Sequence, residues 1–551
     1  MRIARRPHRT GLAVAAALAV AAVAAVPALA SPAVAEDTPI FGSDWDDPRT
    51  ADQPIARPDT DSCTVRIVDN EFRSFDTYRR DYAPPADCAG DWSKVVLTLH
   101  GAVAGRQYDR LGQIRLGGVP IFKTSTPEPS ADGIEWTVEK DLTSYTDLLS
   151  RPGEVEMDLG NVVNDTYTGV LDVQVDLTFY TTSAKWPAPS RNPETVQALD
   201  AVTTGGGATT GSLTVPANTE KLVAEVYATG SGGGCEEFWY TAAPTTSPDD
   251  YWCKAEQDPW REVQVYVDGE LAGIATPYPH IYTGGWSNPF LWYVLPAPRA
   301  FDIKPLEVDL TPFVGTLTDG AAHEISVRVH GAEGDGWNAP VGLLSWQDEG
   351  STRVTGAVTA TTDTAPQVTN TTGTDGDMFT AHVDGSHSLS VTGYADTSHG
   401  RVTTTVERTV TETAQHRWSD GEYDDGEDLT FTDTGYVRTK TGSRAAEFDR
   451  WDYAYDLDGL IEITEAGDIT TTMTLVDHGK EIARTGSQQG PWTDWSNRYE
   501  GSATWNYLVP REQRRSTGRS EHDFSTRSDR GCWHRVISTE AGLITGDRTG
   551  C

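Results

Sequence analysis

The chain has 551 residues, and 44 Lys and Arg stand against 81 Asp and Glu, which gives a formal net charge of −37. This excess of negative charge excludes DNA, RNA and anionic membrane surfaces as favoured partners, because those attract patches of Lys and Arg. The 52 Gly, 31 Pro, 17 Trp and 20 Tyr, beside 4 Met, are typical of strands and ordered loops. A helical bundle and a doubly wound nucleotide-binding fold are therefore not expected, and the length predicts about three domains.

Residues 1–35 have the composition of a secretory signal peptide. Four Arg precede an apolar run from Leu12 to Val26, and small-residue cleavage sites follow it. A membrane anchor is the alternative, but the run is rich in Ala, short for a bilayer and broken by Pro27. We expect a secreted, extracellular protein without membrane insertion after signal removal.

The six cysteines fall into pairs that are close in sequence. An even number in an exported chain favours disulfides, whereas a zinc site requires close spacing such as C-x-x-C, which does not occur here. We therefore predict three local disulfides: Cys63–Cys88, Cys235–Cys253 and Cys532–Cys551.

Apolar and polar residues alternate with a period of two at many places along the chain. Examples are 171–179, 263–267 and 325–329. This pattern predicts strands with one buried and one wet face, as in antiparallel sheets. The predicted fold class is therefore all-β, built from packed antiparallel sheets.

Shifts in composition divide the chain into segments. A Pro-rich and Gly-rich stretch separates two strand-rich units, and a Thr-rich region follows them. The predicted segments after the signal are an extended lead-in at 36–60, a first unit at 61–185, a linker at 186–210, a second unit at 211–350 and a β-rich accessory domain at 351–551.

Several catalytic motifs are absent from the sequence. There is no G-x-S-x-G elbow, P-loop or H-E-x-x-H motif, and the 12 His are scattered. We therefore expect no metal and no cofactor. If the protein is an enzyme, carboxylates are expected to transfer the protons.

Two segments carry carboxylates in unusual surroundings. Asp109 and Arg110 lie between two predicted strands, and Glu236 and Glu237 adjoin Cys235 after a run of glycines. The alternatives are a turn Asp paired with its Arg and a solvated loop held by a disulfide. Adjacent residues of an extended chain face opposite ways, so one Glu can point into a cleft while the other does not.

The second unit is dense in Trp and Tyr. Aromatic faces pack against the apolar faces of sugar rings, which makes Trp239, Trp252 and Trp286 candidates for substrate binding. Core packing is the alternative for these side chains. Aromatic rings and carboxylates together suggest a carbohydrate ligand.

At these same residues the sequence resembles the peptide:N-glycanase A family, secreted glycoamidases that remove N-linked glycans. The resemblance extends over about 61–350, and its segments occur in the family's order. The segments that carry it are Phe72–Phe75, Gly105–Arg110, Leu116–Ile121, Thr126–Pro129, Gly133–Asp141, Asp165–Gly169 and Gly234–Tyr240.

A more distant similarity to the peptide:N-glycanase F group implies two adjacent jelly rolls with the active site at their junction. In that resemblance, Asp109 matches the main catalytic carboxylate and Glu237 matches the second. A third Glu of that group would fall near Gly160 and Asn161, where this chain has no Glu. The resemblance thus implies Asp109 and Glu237 as catalytic groups. Arg110 either stabilises the developing charge or holds Asp109 ionised, and we expect Arg110, Glu236 and Asn161 to bind substrate.

The function implied is hydrolysis of the amide bond between an N-linked glycan and asparagine, giving aspartate and a glycosylamine. The expected substrates are N-glycosylated peptides or glycoproteins, and a monomer is expected. The alternatives are a glycoside hydrolase that uses the same carboxylates and a non-catalytic carbohydrate-binding β-sandwich.

Overall fold

The structure is a computed structural model that describes residues 44–248, 251–255, 257–285, 289–332, 336–510 and 516–551. The predicted signal peptide at 1–35 lies outside these described residues, as does the beginning of the predicted lead-in.

The first unit, residues 62–181, consists of two four-stranded antiparallel sheets. Their strand orders are β1-β8-β3-β6 and β2-β7-β4-β5, and apolar side chains from both sheets form one core. The elements are β1 Ser62–Phe72, β2 Tyr78–Tyr82, β3 Trp92–Val103, β4 Leu111–Leu116, β5 Val119–Ser125, β6 Ile134–Asp141, the helix α1 Thr146–Leu149, β7 Gly153–Leu159 and β8 Leu171–Thr181.

The second unit, residues 195–347, contains a five-stranded sheet, β10-β11-β17-β14-β15, and a four-stranded sheet, β16-β12-β19-β9. The short strands β13 and β18 pair with each other. The elements are β9 Thr195–Gln197, β10 Asp200–Gly205, β11 Ala208–Leu213, β12 Thr219–Val226, β13 Thr229–Gly230, β14 Glu262–Val267, β15 Glu270–Ala275, β16 Leu306–Asp309, the helix α2 Val314–Leu317, β17 His323–His330, β18 Trp337–Asn338 and β19 Val341–Gln347.

The third sheet, residues 355–550, is an antiparallel meander in which each strand from β22 to β30 pairs with the next, while β20 and β21 both pair with β22. Buried and more exposed side chains alternate along strands such as Met378–Thr397, as expected of a sheet with one covered face. The strands are β20 Thr355–Asp363, β21 Gln367–Asp375, β22 Met378–Thr397, β23 Gly400–Ser419, β24 Asp424–Thr441, β25 Glu447–Ile463, β26 Asp468–Thr485, β27 Gln488–Asn506, β28 Thr517–Ser528, β29 Gly531–Glu540 and β30 Leu543–Gly550.

One face of the third sheet closes the core of the second unit. Tyr278 of the second unit packs edge-on against Tyr455, with ring centroids 4.9 Å apart. The largely buried Arg299 adds a bidentate ion pair with Asp477, at 2.7 and 2.9 Å. Buried apolar residues of both regions therefore form a single continuous core.

The antiparallel all-β class and the three disulfides are confirmed. The assignment of the first two units as jelly rolls stays a prediction, as do the domain boundaries. Within the predicted linker, β9 pairs with β19 and its Val196 is fully buried, whereas the exposed strand β10 pairs with β11, so both strands belong to sheets of the second unit. A strand of three residues is too short to show a period.

Helical structure is sparse in the described part of the chain. Besides α1 and α2 there are short 3-10 turns at Ala86–Cys88, Thr143–Tyr145, Trp239–Thr241, Pro289–Leu291, Thr311–Phe313 and Asp420–Glu422. No helix among the described residues is long and apolar enough to cross a membrane.

Candidate functional site

Asp109 lies on a well-anchored loop between β3 and β4. Gln107, which is 1% exposed, organises this loop through its side chain. Its Oε1 accepts hydrogen bonds from the Tyr108 N–H at 3.0 Å and from Arg110 Nη2 at 2.7 Å. Its Nε2 donates to the Gly169 carbonyl at 3.1 Å. Because Gln107 is buried and its side-chain amide makes these hydrogen bonds, it fixes the loop and the position of Asp109.

The carboxyl group of Asp109 faces the glycine pair at 284–285. Its Oδ2 accepts a hydrogen bond from the Gly284 N–H at 3.2 Å. Burial raises the pKa of Asp109, whereas the Gly284 N–H and the charge of Arg110 oppose this rise. The Arg110 pKa is lowered, with burial as the largest cause. Asp109 is thus a carboxylate in a partly desolvated site beside a cation.

Gly284 also brings a second carboxyl group to Asp109. A Cβ atom at Gly284 would lie 2.7 Å from Asp109 Oδ1 and 2.7 Å from Glu128 Oε1. The two oxygens are therefore separated by at most twice that distance. Glu128 is 4% exposed, and its Oε2 accepts a hydrogen bond from the Tyr293 hydroxyl at 2.8 Å.

Sequence reasoning did not propose Glu128 as a site residue. The sequence contained a Glu between two prolines, and the structure adds that this Glu lies three residues beyond the end of β5, whose residues are all buried. An ionisable residue at the end of a fully buried strand is unusual and marks a candidate functional group.

Glu237 lies on the glycine-rich loop that follows β13. Gly232 and Gly233 have φ values of 105° and 69°, which only glycine adopts without strain. This turn lets the Gly233 N–H donate to Glu237 Oε2. The disulfide Cys235–Cys253 ties the loop to the following segment.

Glu237 and Asp109 interact electrostatically, although they come from different units. Burial is the largest cause that raises the pKa of Glu237 to about 7, and the negative charge of Asp109 adds to it. Backbone N–H groups of Gly232 and Gly233 act in the opposite direction. Like charges shift each other in this way only at short range. The negative charge of Asp109 on the first unit therefore reaches the carboxyl group of Glu237 on the second unit.

The segment Tyr282–Gly285 joins the two carboxyl-bearing loops. The Tyr282 hydroxyl donates to the Gly230 carbonyl at 3.2 Å. Its pKa is raised by burial and then by the charges of Glu237 and Asp109, so the hydroxyl stays protonated next to both. A Cβ at Gly285 would lie 3.5 Å from the Phe238 ring, so this segment also contacts the Glu237 loop.

Tyr108 and Tyr167 form an aromatic surface beside Asp109. Their ring centroids are 5.1 Å apart and their hydroxyl oxygens are 3.5 Å apart. The Arg106 guanidinium lies over the Tyr167 ring at 5.4 Å. Burial raises the pKa of Tyr108 to about 12. Half-buried aromatic rings beside carboxylates suit a sugar or an amide plane.

Glu236 and Glu237 have different partners, although they lie in a turn and not on the extended chain that the sequence suggested, since the Glu237 N–H donates to the Gly234 carbonyl at 3.0 Å. The Glu236 carboxylate binds the buried Arg261 through two hydrogen bonds, at 2.9 and 3.2 Å. The Trp337 indole N–H donates to it as well. These contacts tie the loop to the second unit, and the proposed contact of Glu236 with substrate stays a prediction.

The remaining predicted substrate-binding residues differ in exposure. Trp239 is 2% exposed and packs against Phe431, and Asn161 is 1% exposed and donates to the Gly169 carbonyl. Trp252 is half-buried against the Phe238 ring. Trp286 lies outside the described residues. The structure brings Arg110 beside Asp109, while substrate contacts of all these residues stay predictions.

The third sheet holds the segment that the disulfide connects to the Glu237 loop. The Tyr251 ring packs against Trp418 at 4.4 Å, and its hydroxyl donates to Glu427 Oε1 at 3.1 Å. The Trp252 N–H donates to Glu422 Oε1, also at 3.1 Å. Residues of the third sheet therefore support the position of Glu237 through Cys253.

The fold and the three neighbouring carboxyl groups define an all-β protein equipped for general acid–base chemistry. Comparison with known proteins identifies the family. The chain belongs to the peptide N-acetyl-beta-D-glucosaminyl asparaginase amidase A family, whose model matches residues 52–364. The resemblance inferred from the sequence motifs is confirmed.

A curated relative and two solved structures are similar to this chain. Peptide-N4-(N-acetyl-beta-glucosaminyl)asparagine amidase A from Prunus dulcis is 31% identical over 391 residues, which cover 64% of this chain and 66% of the relative. A structure of PNGF-II is 12% identical with a TM-score of 0.34, covering 52% of this chain and 66% of that one. The PBSX exported protein XepA is 10% identical with a TM-score of 0.15, covering 52% and 86%. The chain thus spans about two thirds of the length of the curated relative.

Proposed function

We propose that the protein is a secreted glycoamidase that hydrolyses the amide bond between the first GlcNAc of an N-linked glycan and asparagine. The substrates are N-glycosylated peptides or glycoproteins, and the products are an aspartate-containing peptide and a glycosylamine. The observation that carries the proposal is that the segment Tyr282–Gly285 touches both the Asp109 carboxyl group and the loop of Glu237, in a chain of the amidase family.

Asp109 is the group that activates water in this proposal. An ionised carboxylate accepts a proton from a water molecule as that water attacks the side-chain amide carbon of the glycosylated asparagine. The Gly284 N–H and the Arg110 charge favour the ionised form of Asp109. The attack produces an oxyanion, and the Arg110 guanidinium is the nearby cation available to stabilise it.

Glu237 is the proton donor for the leaving amine. Its pKa of about 7 means that the carboxyl group is protonated in mildly acidic solution. When the C–N bond breaks, the electron pair stays on the glycosylamine nitrogen and the Glu237 proton is transferred to it. The carboxyl group formed on the peptide is an aspartate that contains the oxygen of the attacking water.

The basic and apolar leader at 1–35 and the three disulfides favour export to an oxidising compartment. A monomer is proposed, since both proposed catalytic carboxyl groups come from one chain.

The experiment is digestion of a defined N-glycopeptide in ¹⁸O-water, read by mass spectrometry. Release of the intact glycan with one ¹⁸O in a new aspartate supports the glycoamidase. An asparagine that keeps a trimmed sugar supports the glycoside hydrolase instead, and binding without turnover supports a carbohydrate-binding protein.

Variants then assign the roles. Asp109→Asn and Glu237→Gln are expected to lower kcat/KM by about 10²- to 10⁴-fold, the usual contribution of a general acid or base. Glu270→Gln, at an exposed strand position of the second unit, is the matched control and retains activity. Equal activity of all three variants would contradict the assignment.

A further inference from the structure

We propose that Thr283 is a positioning residue that holds the Gly284 N–H against the Asp109 carboxylate, with Thr126 as the common anchor of both groups. This inference rests on the proposed function, because it concerns the carboxylate that activates water at the same site. Thr283 acts on Asp109 through the next residue of the chain and not by touching the substrate.

The segment that carries Gly284 is attached to the first unit through the residue before it. The Thr283 side chain is fully buried, and its hydroxyl donates to the Thr126 carbonyl at 3.0 Å. The next N–H, that of Gly284, donates to Asp109 Oδ2 at 3.2 Å. This second bond is at the long end of the usual range, so a small displacement of the segment weakens it. Because the two donors are adjacent in sequence, the first bond limits that displacement.

Thr126 also fixes the chain beside Asp109. Its N–H donates to the Arg110 carbonyl at 2.9 Å, and its Oγ1 accepts the Arg110 N–H, also at 2.9 Å. Thr126 is 2% exposed, so these bonds are shielded from water. Asp109, through Arg110, and Gly284, through Thr283, are therefore both held relative to the same residue.

Gly284 cannot be held by a side chain of its own. A Cβ at this position would lie 2.7 Å from Asp109 Oδ1, which is too close for carbon and oxygen. The position of its N–H must therefore be set by neighbours in the chain. The Tyr282 hydroxyl attaches the segment to the second unit by donating to the Gly230 carbonyl at 3.2 Å, and Thr283 attaches it to the first unit, where Asp109 lies.

The position of the Gly284 N–H affects how readily Asp109 ionises. Burial raises the pKa of Asp109, and the Gly284 N–H and the charge of Arg110 oppose this rise. A hydrogen bond to the charged form of a carboxyl group favours that form. Loss of the Thr283 hydroxyl is therefore expected to raise the pKa of Asp109 further and to lower its ionised fraction in acidic solution.

Titratable groups face Asp109 from several elements of the fold. They are Arg110 on the same loop, Glu128 after β5, Glu237 on the glycine-rich loop and Tyr282 on the segment that carries Gly284. A substitution of Thr283 changes none of these groups and removes no charge. A change in the titration of Asp109 in such a variant therefore reports the hydrogen bond and not the loss of a charged neighbour.

The variants change one hydroxyl group. Thr283→Val keeps the shape of the side chain and removes the donor, whereas Thr283→Ser keeps the donor. In Thr283→Val we expect the acidic limb of kcat/KM against pH to move toward neutral pH by roughly one pH unit, which lowers kcat/KM about tenfold at pH values below that limb. The limb above about pH 7, where Glu237 ionises, is expected to stay in place. Thr283→Ser is expected to keep both limbs of the wild type.

The experiment measures kcat/KM of the full-length protein on the N-glycopeptide from acidic to neutral pH. Thr318→Val is the matched control, because Thr318 is 1% exposed and its hydroxyl donates to the carbonyls of Val314 and Val354, both at 2.9 Å. It is expected to change thermal stability and leave the acidic limb in place. Thr283→Ala removes the same hydroxyl, is expected to move the limb as Thr283→Val does, and takes its place if Thr283→Val does not fold.

Two outcomes of this experiment would overturn the proposal. The first is an acidic limb that is the same in the wild type, Thr283→Val and Thr283→Ala, even if activity falls. The second is a Thr283→Ser limb that moves as far as that of Thr283→Val, since the hydroxyl would then not be the cause.

A second measurement is independent of turnover. Hydrogen–deuterium exchange of the Gly284 N–H, read by mass spectrometry of overlapping peptides, reports how firmly this N–H is held by its acceptor. Faster exchange in Thr283→Val than in both the wild type and Thr283→Ser supports the proposal, and equal exchange in all three overturns it. A wild type that releases no glycan but shows this difference would refute the proposed function and leave the positioning of Gly284 by Thr283 standing.

Discussion

Replacement of Gly284 by alanine tests the geometry of the site with one methyl group. The new Cβ would lie 2.7 Å from both Asp109 Oδ1 and Glu128 Oε1, and 3.3 Å from Asp109 Cγ. Carbon and oxygen atoms that are not bonded stay about 3.3 Å or more apart, so the two carboxyl groups must separate by roughly an ångström in total. Gly284 has a φ that other residues adopt readily, so the backbone itself is not strained by the change.

The expected effect is on catalysis more than on folding. A misplacement of about 1 Å at a reacting group costs up to roughly 10²-fold in rate, so we expect Gly284→Ala to lower kcat/KM by about 10- to 100-fold. Overpacking is expected to lower the free energy of unfolding by about 1–3 kcal/mol. The assay is glycan release from the N-glycopeptide, with Tm measured on the same samples.

Gly546→Ala is the matched control, because its Cβ would meet Ser538 at an ordinary 3.7 Å in the third sheet. This variant is expected to match the wild type in both kcat/KM and Tm. A Gly284→Ala variant with kcat/KM within twofold of the wild type would refute the reasoning, since it would mean that the two carboxyl groups need not approach Gly284.

Three further predictions follow from burial and charge. Glu412 is 5% exposed, and burial raises its pKa to about 8, so the folded protein loses stability as rising pH ionises this buried carboxyl group. Glu412→Gln removes that loss and is expected to raise the free energy of unfolding, measured by urea denaturation, by roughly 1–4 kcal/mol at pH 9 and by little at pH 5. Trp418→Ala removes the ring that packs against Tyr251 and is expected to lower kcat/KM about tenfold, whereas the control Leu457→Ala in the same sheet lowers only Tm. Equal kcat/KM values for the two variants would contradict the idea that Trp418 helps to hold the Glu237 loop in place. The wild-type profile of kcat/KM against pH is expected to fall above about pH 7, where Glu237 ionises, and this limb is expected to be absent from the residual activity of Glu237→Gln.

The sequence predicted the fold class because alternation along strands is a local property. For Glu236 and Glu237 the expectation of different partners was right, but its reason was wrong, because these residues lie in a turn and not on an extended strand. Asp109 and Glu237 were found through motifs, because no local pattern in the sequence indicates that two residues 128 positions apart interact electrostatically. Glu128 escaped because its approach to Asp109 depends on the loop at Gly284, which is 175 residues from Asp109 in sequence.

The third sheet shows a different limit of sequence reasoning. Its Thr-rich composition predicted a β-rich region, but nothing local indicated that one face would cover the second unit. That relation depends on long-range pairs such as Trp292 with Tyr499, whose rings are 4.4 Å apart. Alternation along a strand shows on which face of the sheet a residue lies, but the packing of the whole chain decides what covers that face.

The second unit and the third sheet share one core, so neither region can be exchanged by itself for the corresponding region of a related protein. The family match ends at residue 364, yet apolar side chains up to Ile537 belong to the same buried cluster as Trp260 and Trp292. A fragment cut at that end would expose this cluster to water and would lack the support of Tyr251 by Trp418. Exchange of parts between relatives must therefore take the second unit and the third sheet as one piece, and a shortened catalytic version must first be given a new polar surface in place of the sheet.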